Sequence, residues 1–108
     1  MSFVEIDIQD QIMIVKLNRP ERLNALGKGI REGMADAFNQ FKNDKNLEVG
    51  ILTGEGRGFC AGEDMKESVE AGSIVDTPGN SPDLNDPFLN GTLDKPVIGA
   101  INGYAMGG

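Results

Sequence analysis

The chain has 108 residues, 17 of them acidic and 10 basic, and a net charge of −7. That length suffices for one small domain with a modest core, and that charge argues against nucleic acid or an anionic membrane as a general partner. Histidine is absent and Cys60 is the single cysteine, which excludes a Ser-His or Cys-His pair, the commonest zinc ligand and an internal disulfide.

Val4, Ile6 and Ile8 alternate with Glu5 and Asp7, so the chain is expected to open with a half-buried strand. No signal or transit segment is expected ahead of it, and no apolar run approaches the roughly 20 residues that span a bilayer. Gln9-Asp10-Gln11 reads as a turn. Ile12 to Leu17 is more continuously apolar, which predicts a second strand covered on both faces. The two make an antiparallel hairpin, ended by Asn18-Arg19-Pro20 because proline cannot donate to a ladder.

A helix is predicted from Lys28 to Asn43. Ile30, Met34, Ala37, Phe38 and Phe41 recur at spacings of three and four and form one apolar stripe. Gly29 and Gly33 work against it, each costing about 1 kcal/mol relative to alanine. Asp44-Lys45-Asn46 ends it in polar residues.

Val49 to Thr53 is expected to be a buried strand. It opens the stretch Ile51 to Lys66, which passes through Gly54, Gly56, Gly58 and Gly62 and ends where a helix starts at Asp64. A dinucleotide fingerprint fails, because Phe59 stands where the third glycine or alanine belongs, and a phosphate loop fails for want of Gly-Lys-Ser/Thr. Backbone amides directed out of a glycine turn at a helix start suit an oxygen that is negative or becoming so. A plain connecting loop would share the same composition. Cys60, among apolar residues and glycines, reads as a small buried hydrophobe in a reducing, cytoplasmic setting.

The expected helix runs from Asp64 to Ala71, with Asp64 as its cap. Gly72 to Asn90 is rich in turn residues; loops of this length are functional covers or disordered segments, so this one is expected to be the least ordered part, with Phe88 and Leu89 as anchors. Val97 to Ile101 is the next expected buried strand. Its plan of strand, glycine turn and helix repeats the first, and the two strands suit a right-handed parallel crossover.

Phe59-Cys60-Ala61-Gly62-Glu63-Asp64, Lys95-Pro-Val-Ile-Gly-Ala-Ile-Asn-Gly-Tyr-Ala-Met-Gly-Gly108, and Leu17-Asn18-Arg19-Pro20 with Leu23-Asn24-Ala25-Leu26 occur in this order. Together they resemble three collinear segments of the crotonase family, the enoyl-CoA hydratases and isomerases. The resemblance implies an α/β fold, the N-terminal part of a crotonase-type β/β/α spiral, over residues 1–108. It implies an acyl-CoA thioester as partner, with coenzyme A entering as part of the substrate, and neither a separate cofactor nor a metal.

By position, the resemblance assigns the backbone N–H groups of Glu63 and Gly108 to an oxyanion hole for an enolate-like intermediate. Ala25, Ala61, Gly62, Asp64 and Gly107 then fall around the substrate, and Arg22 and Lys66 toward the coenzyme A phosphates. Lys66 is equally compatible with a solvated helix lysine. Glu63 departs from the small or apolar residue common at its position. The family's catalytic glutamates lie further along than Gly108, so the chain is expected to be a portion of a longer enzyme and inactive alone. A hydrolase, decarboxylase or dehalogenase on the same fold, or a non-catalytic acyl-CoA binder, stays open, since fold does not fix chemistry. The family forms trimers or dimers of trimers.

Overall fold

The computed structural model describes residues 3–62 and 86–106. The hairpin forms as expected: β1 (Val4–Gln9) and β2 (Ile12–Leu17) pair antiparallel from Val4↔Leu17 to Gln9↔Ile12. A short 3₁₀ turn, Pro20–Arg22, follows. Helix α1 (Lys28–Asn43) has the predicted bounds, and its stripe of Ile30, Met34, Ala37, Phe38 and Phe41 is buried. β3 (Val49–Gly54) lies parallel to β2, so β2, α1 and β3 form one parallel crossover unit. β5 (Val97–Gly99) pairs parallel with β3 and completes a sheet of order β1-β2-β3-β5.

A second sheet adds a strand that the expected plan of strand, glycine turn and helix did not include. β4 (Gly58–Cys60) and β6 (Tyr104–Ala105) pair parallel with each other. The glycine stretch therefore turns back into a strand, and so does the stretch after Asn102. The helix expected over Asp64–Ala71 and the loop expected over Gly72–Asn90 lie outside the described residues, apart from 86–90.

Coverage of the strands also differs. Only one face of β2 is closed: Met13, Val15 and Leu17 are buried, while Ile12 is exposed and Ile14 and Lys16 are intermediate. Along β1 only Val4 is buried, and Ile6 and Ile8 stay 41% and 46% exposed. The reason is where α1 crosses. A Cβ on Gly33 would stand 2.7 Å from a Val4 methyl and one on Gly29 2.6 Å from the Phe3 ring. The helix thus rests on the start of β1 and leaves the rest of the strand uncovered. The two helix glycines lower helix propensity, but they make the room for that contact. β3 alternates as well, with Gly50 and Leu52 buried and Val49 and Ile51 intermediate. β5 stops at Gly99 and is largely exposed as an edge strand, not buried through Ile101.

Phe38 stacks on Phe88 with ring centroids 4.8 Å apart and planes 18° apart, which makes Phe88 the expected anchor for residues 86–90. Asp86 shapes that turn, accepting from the Phe88 N–H at 2.9 Å through its side chain and from the Asn90 N–H at 2.9 Å through its carbonyl. Among the described residues no helix is long and apolar enough to cross a membrane.

Candidate functional site

The turn 54–58 lies where the two sheets meet. Asparagine side chains hold it from both sides. Asn24 is completely buried at φ 54°, a left-handed conformation that asparagine tolerates better than most residues. Its Nδ2 donates to the carbonyls of Glu55 at 3.1 Å and Gly58 at 2.9 Å, and its Oδ1 accepts the Arg19 N–H at 2.7 Å. From the other side, Asn102 Oδ1 accepts the Gly54 N–H at 3.1 Å, and Asn102 Nδ2 donates to the Gly56 carbonyl at 2.9 Å. Neither side chain was singled out by sequence reasoning. The signal available for Asn24 was a polar residue embedded in the apolar run Leu23–Leu26.

Three backbone segments run side by side beyond the turn. Ala61 N–H donates to the Leu23 carbonyl at 3.0 Å, and Leu26 N–H donates to the Gly62 carbonyl. On the other edge, Met106 N–H donates to the Cys60 carbonyl at 2.9 Å and extends the β4–β6 pairing. Residues 60–62 are thus flanked by 23–26 and by 104–106. Gly62 has φ +89°, a turn that a residue with a side chain adopts only under strain.

This arrangement brings together four of the expected site residues. Arg22 closes the 3₁₀ turn and is half-buried, Ala25 and Gly62 are buried, and Ala61 is intermediate. Glu63, Asp64, Lys66, Gly107 and Gly108 lie outside the described residues. Cys60 is a free, buried thiol facing an apolar environment, as expected. A cavity of about 300 Å³ opens beside it, between α1, both sheets and residues 86–89. All its lining side chains are apolar, among them Leu26, Met34, Phe59, Phe88, Ile101 and Met106.

The enoyl-CoA hydratase/isomerase family model matches residues 7–108. The chain belongs to the enoyl-CoA hydratase/isomerase family. A 1,2-epoxyphenylacetyl-CoA isomerase of Escherichia coli K12 is 37% identical to this family member over 99% of the chain and 42% of its own length. A probable peroxisomal enoyl-CoA hydratase of Arabidopsis thaliana is 38% identical over 88% of the chain and 35% of its own length. The crystal structure of an enoyl-CoA hydratase from Mycobacterium tuberculosis H37Rv superposes with a TM-score of 0.75 at 37% identity, covering 97% of this chain and 40% of that one. The fold is therefore the crotonase-type α/β fold, and the chain spans 35–42% of the length of these relatives.

Proposed function

We propose that residues 1–108 are the N-terminal part of an enzyme that acts on an acyl-CoA thioester, adding water to a 2-enoyl group or shifting its double bond. The reaction proceeds through an enolate-like anion whose oxygen is held by the backbone N–H groups of Glu63 and Gly108. One observation carries this reading. Pairing of β4 with β6, prolonged by the Met106–Cys60 hydrogen bond, lays the two motif segments side by side just before each proposed donor. Two amides can polarise one oxygen only if both lie about 2.7–3.1 Å from it, and adjacent parallel strands deliver their following residues to the same end of the sheet.

The other assignments rest on the family resemblance. Ala25, Ala61 and Gly62 are small and close together, which leaves room for a thioester to approach the backbone. The apolar cavity suits an acyl chain. Arg22 and Lys66 take the phosphates of coenzyme A, and Asp64 and Gly107 border the donors. Coenzyme A comes with the substrate, and no further cofactor is invoked. The assembly is a trimer or a dimer of trimers, and the compartment is the cytoplasm, in keeping with the buried thiol.

The test is hydration and isomerisation of 2-enoyl- and 3-enoyl-CoA by a polypeptide extended to the length of its relatives and by the 108-residue chain. The extended protein is expected to turn over and the short chain is not. Glu63→Pro, which deletes the proposed N–H, is expected to lower kcat by about 10²–10³-fold, as loss of one oxyanion donor does. It should fall much further than Glu63→Gln. Equal rates for the two variants, or an extended protein inert toward both substrates, would overturn the reading.

A further inference from the structure

We propose that Asn102, together with Asn24, is a positioning residue: the two side chains hold the turn 54–58 from opposite sides and so fix β4 against β6. This rests on the function proposed above, in which those two strands lead into the donors. Asn24 and Asn102 share out the polar groups of the turn without duplication. Asn102 takes the Gly54 N–H and the Gly56 carbonyl, and Asn24 takes the Glu55 and Gly58 carbonyls. A turn that satisfied its own backbone would need neither. Two flanking hydrogen bonds extend the connection on the Asn102 side: Thr53 Oγ1 donates to the Ala100 carbonyl at 2.9 Å, and Ala100 N–H donates to the Leu52 carbonyl at 2.8 Å. Asn102 belongs to the second motif and the turn to the first. Its side chain is therefore a direct link between the motifs, set one residue before Gly103 and two before β6.

Displacing either strand by about 1 Å would spoil a site that needs two donors on one atom, at a cost that can reach 10²-fold in rate. Substrate binding through the coenzyme A end would be little changed, since Arg22 is held by the 3₁₀ turn and not by Asn102. The expected signature is a loss in kcat with KM nearly constant.

The experiment uses Asn102→Ala and Asn102→Asp in the full-length protein. Asn102 is exposed, so both variants are expected to fold. Three quantities are read: kcat and KM for crotonyl-CoA, amide hydrogen exchange, and the thermal midpoint. For Asn102→Ala, kcat is expected to fall about 10–100-fold with KM within about threefold. Exchange should quicken in Gly58–Cys60 and Tyr104–Met106 and stay unchanged in β1 and β2. In Asn102→Asp an ionised carboxylate can still accept from Gly54 but cannot donate to Gly56. Its kcat relative to the parent should therefore rise as pH falls toward about 4, where the carboxyl gains a proton. A kcat within about threefold of the parent, a flat pH ratio, or faster exchange spread through β1 and β2 would each overturn the positioning role. If the parent itself fails to act on enoyl-CoA, the proposed function falls alone. Exchange in β4 and β6 then decides for Asn102, and unchanged exchange there would overturn its role.

Discussion

A Cβ placed on Gly103 would collide with the Arg57 carbonyl oxygen and stand 3.2 Å from the Gly58 Cα. Both obstacles are backbone, so neither can rotate aside, and Gly103→Ala must push β6 away from β4. The expected cost is about 1–3 kcal/mol of stability, as for other overpacked sites; under the proposed function, turnover falls by more than the stability loss would produce. Urea unfolding monitored alongside the crotonyl-CoA assay would check this. Asn24→Ala should cost more, about 2–4 kcal/mol, because it strands the buried Gly58 carbonyl and removes two part-buried hydrogen bonds, to the Glu55 carbonyl and from the Arg19 N–H. The glycines of this region were legible in the sequence as a turn. The asparagines that hold it were not: a side-chain hydrogen bond takes no account of separation along the chain, and Asn24 meets Gly58 across 34 residues.

Helix α1 was legible to the residue because its stripe repeats every three to four positions and nothing in its flanks competes. Its C-terminus, however, is completed from elsewhere. Lys95 Nζ donates to the carbonyls of Phe41 and Asp44, both at 2.7 Å, and lies 5.1 Å from the centre of the Phe41 ring. A cation there satisfies carbonyls that the helix leaves unpaired and meets the negative end of its dipole. The lysine that opens the second motif thus has a structural task at the far end of α1. Lys95→Met is expected to cost about 1–3 kcal/mol, the range for charged hydrogen bonds, and to raise amide exchange in the last turn of α1 before any other part. No change in that turn would show that the lysine is dispensable. For the strands, alternation identified where they lie but misjudged their cover. Ile6 and Ile8 carry the right pattern, and they stay exposed because α1 lies over Phe3 and Val4. A pattern states which face a residue takes, not what stands opposite.

At the scale of the molecule, the larger sheet was foreseeable and the smaller one was not. Strands of two and three residues, β6 and β4, carry no periodicity to read. The segment from β5 to Met106 carries the most exposed large apolar side chains of the described part: Ile98 and Ile101 are 58% and 55% exposed, and Tyr104 and Met106 are each 62% exposed. Exposed apolar side chains in such number drive association in water. The 108-residue chain is therefore expected to bind a hydrophobic fluorescent dye and to self-associate as its concentration rises. Ile98→Thr with Tyr104→Thr should weaken both effects. Dye binding unaffected by that pair would place the sticky surface elsewhere.

The pairing of Gly58 with Tyr104 also has a kinetic meaning. The β1–β2 hairpin closes across a two-residue turn, whereas β4 and β6 meet only after a long loop has been drawn together, at an entropic cost that grows with its length. The hairpin and the α1 crossover can therefore assemble in the folding transition state while the two motif strands still wander. Substitutions at Val15 should slow folding, and Asn102→Ala should leave the folding rate almost unchanged and chiefly hasten unfolding. Stopped-flow chevrons for both variants would reveal that order. If Asn102→Ala slowed folding as much as a Val15 substitution, the motif strands would already be docked when the barrier is crossed. Otherwise the β4–β6 pairing is the last of the described strand pairings to come into register and the first to part.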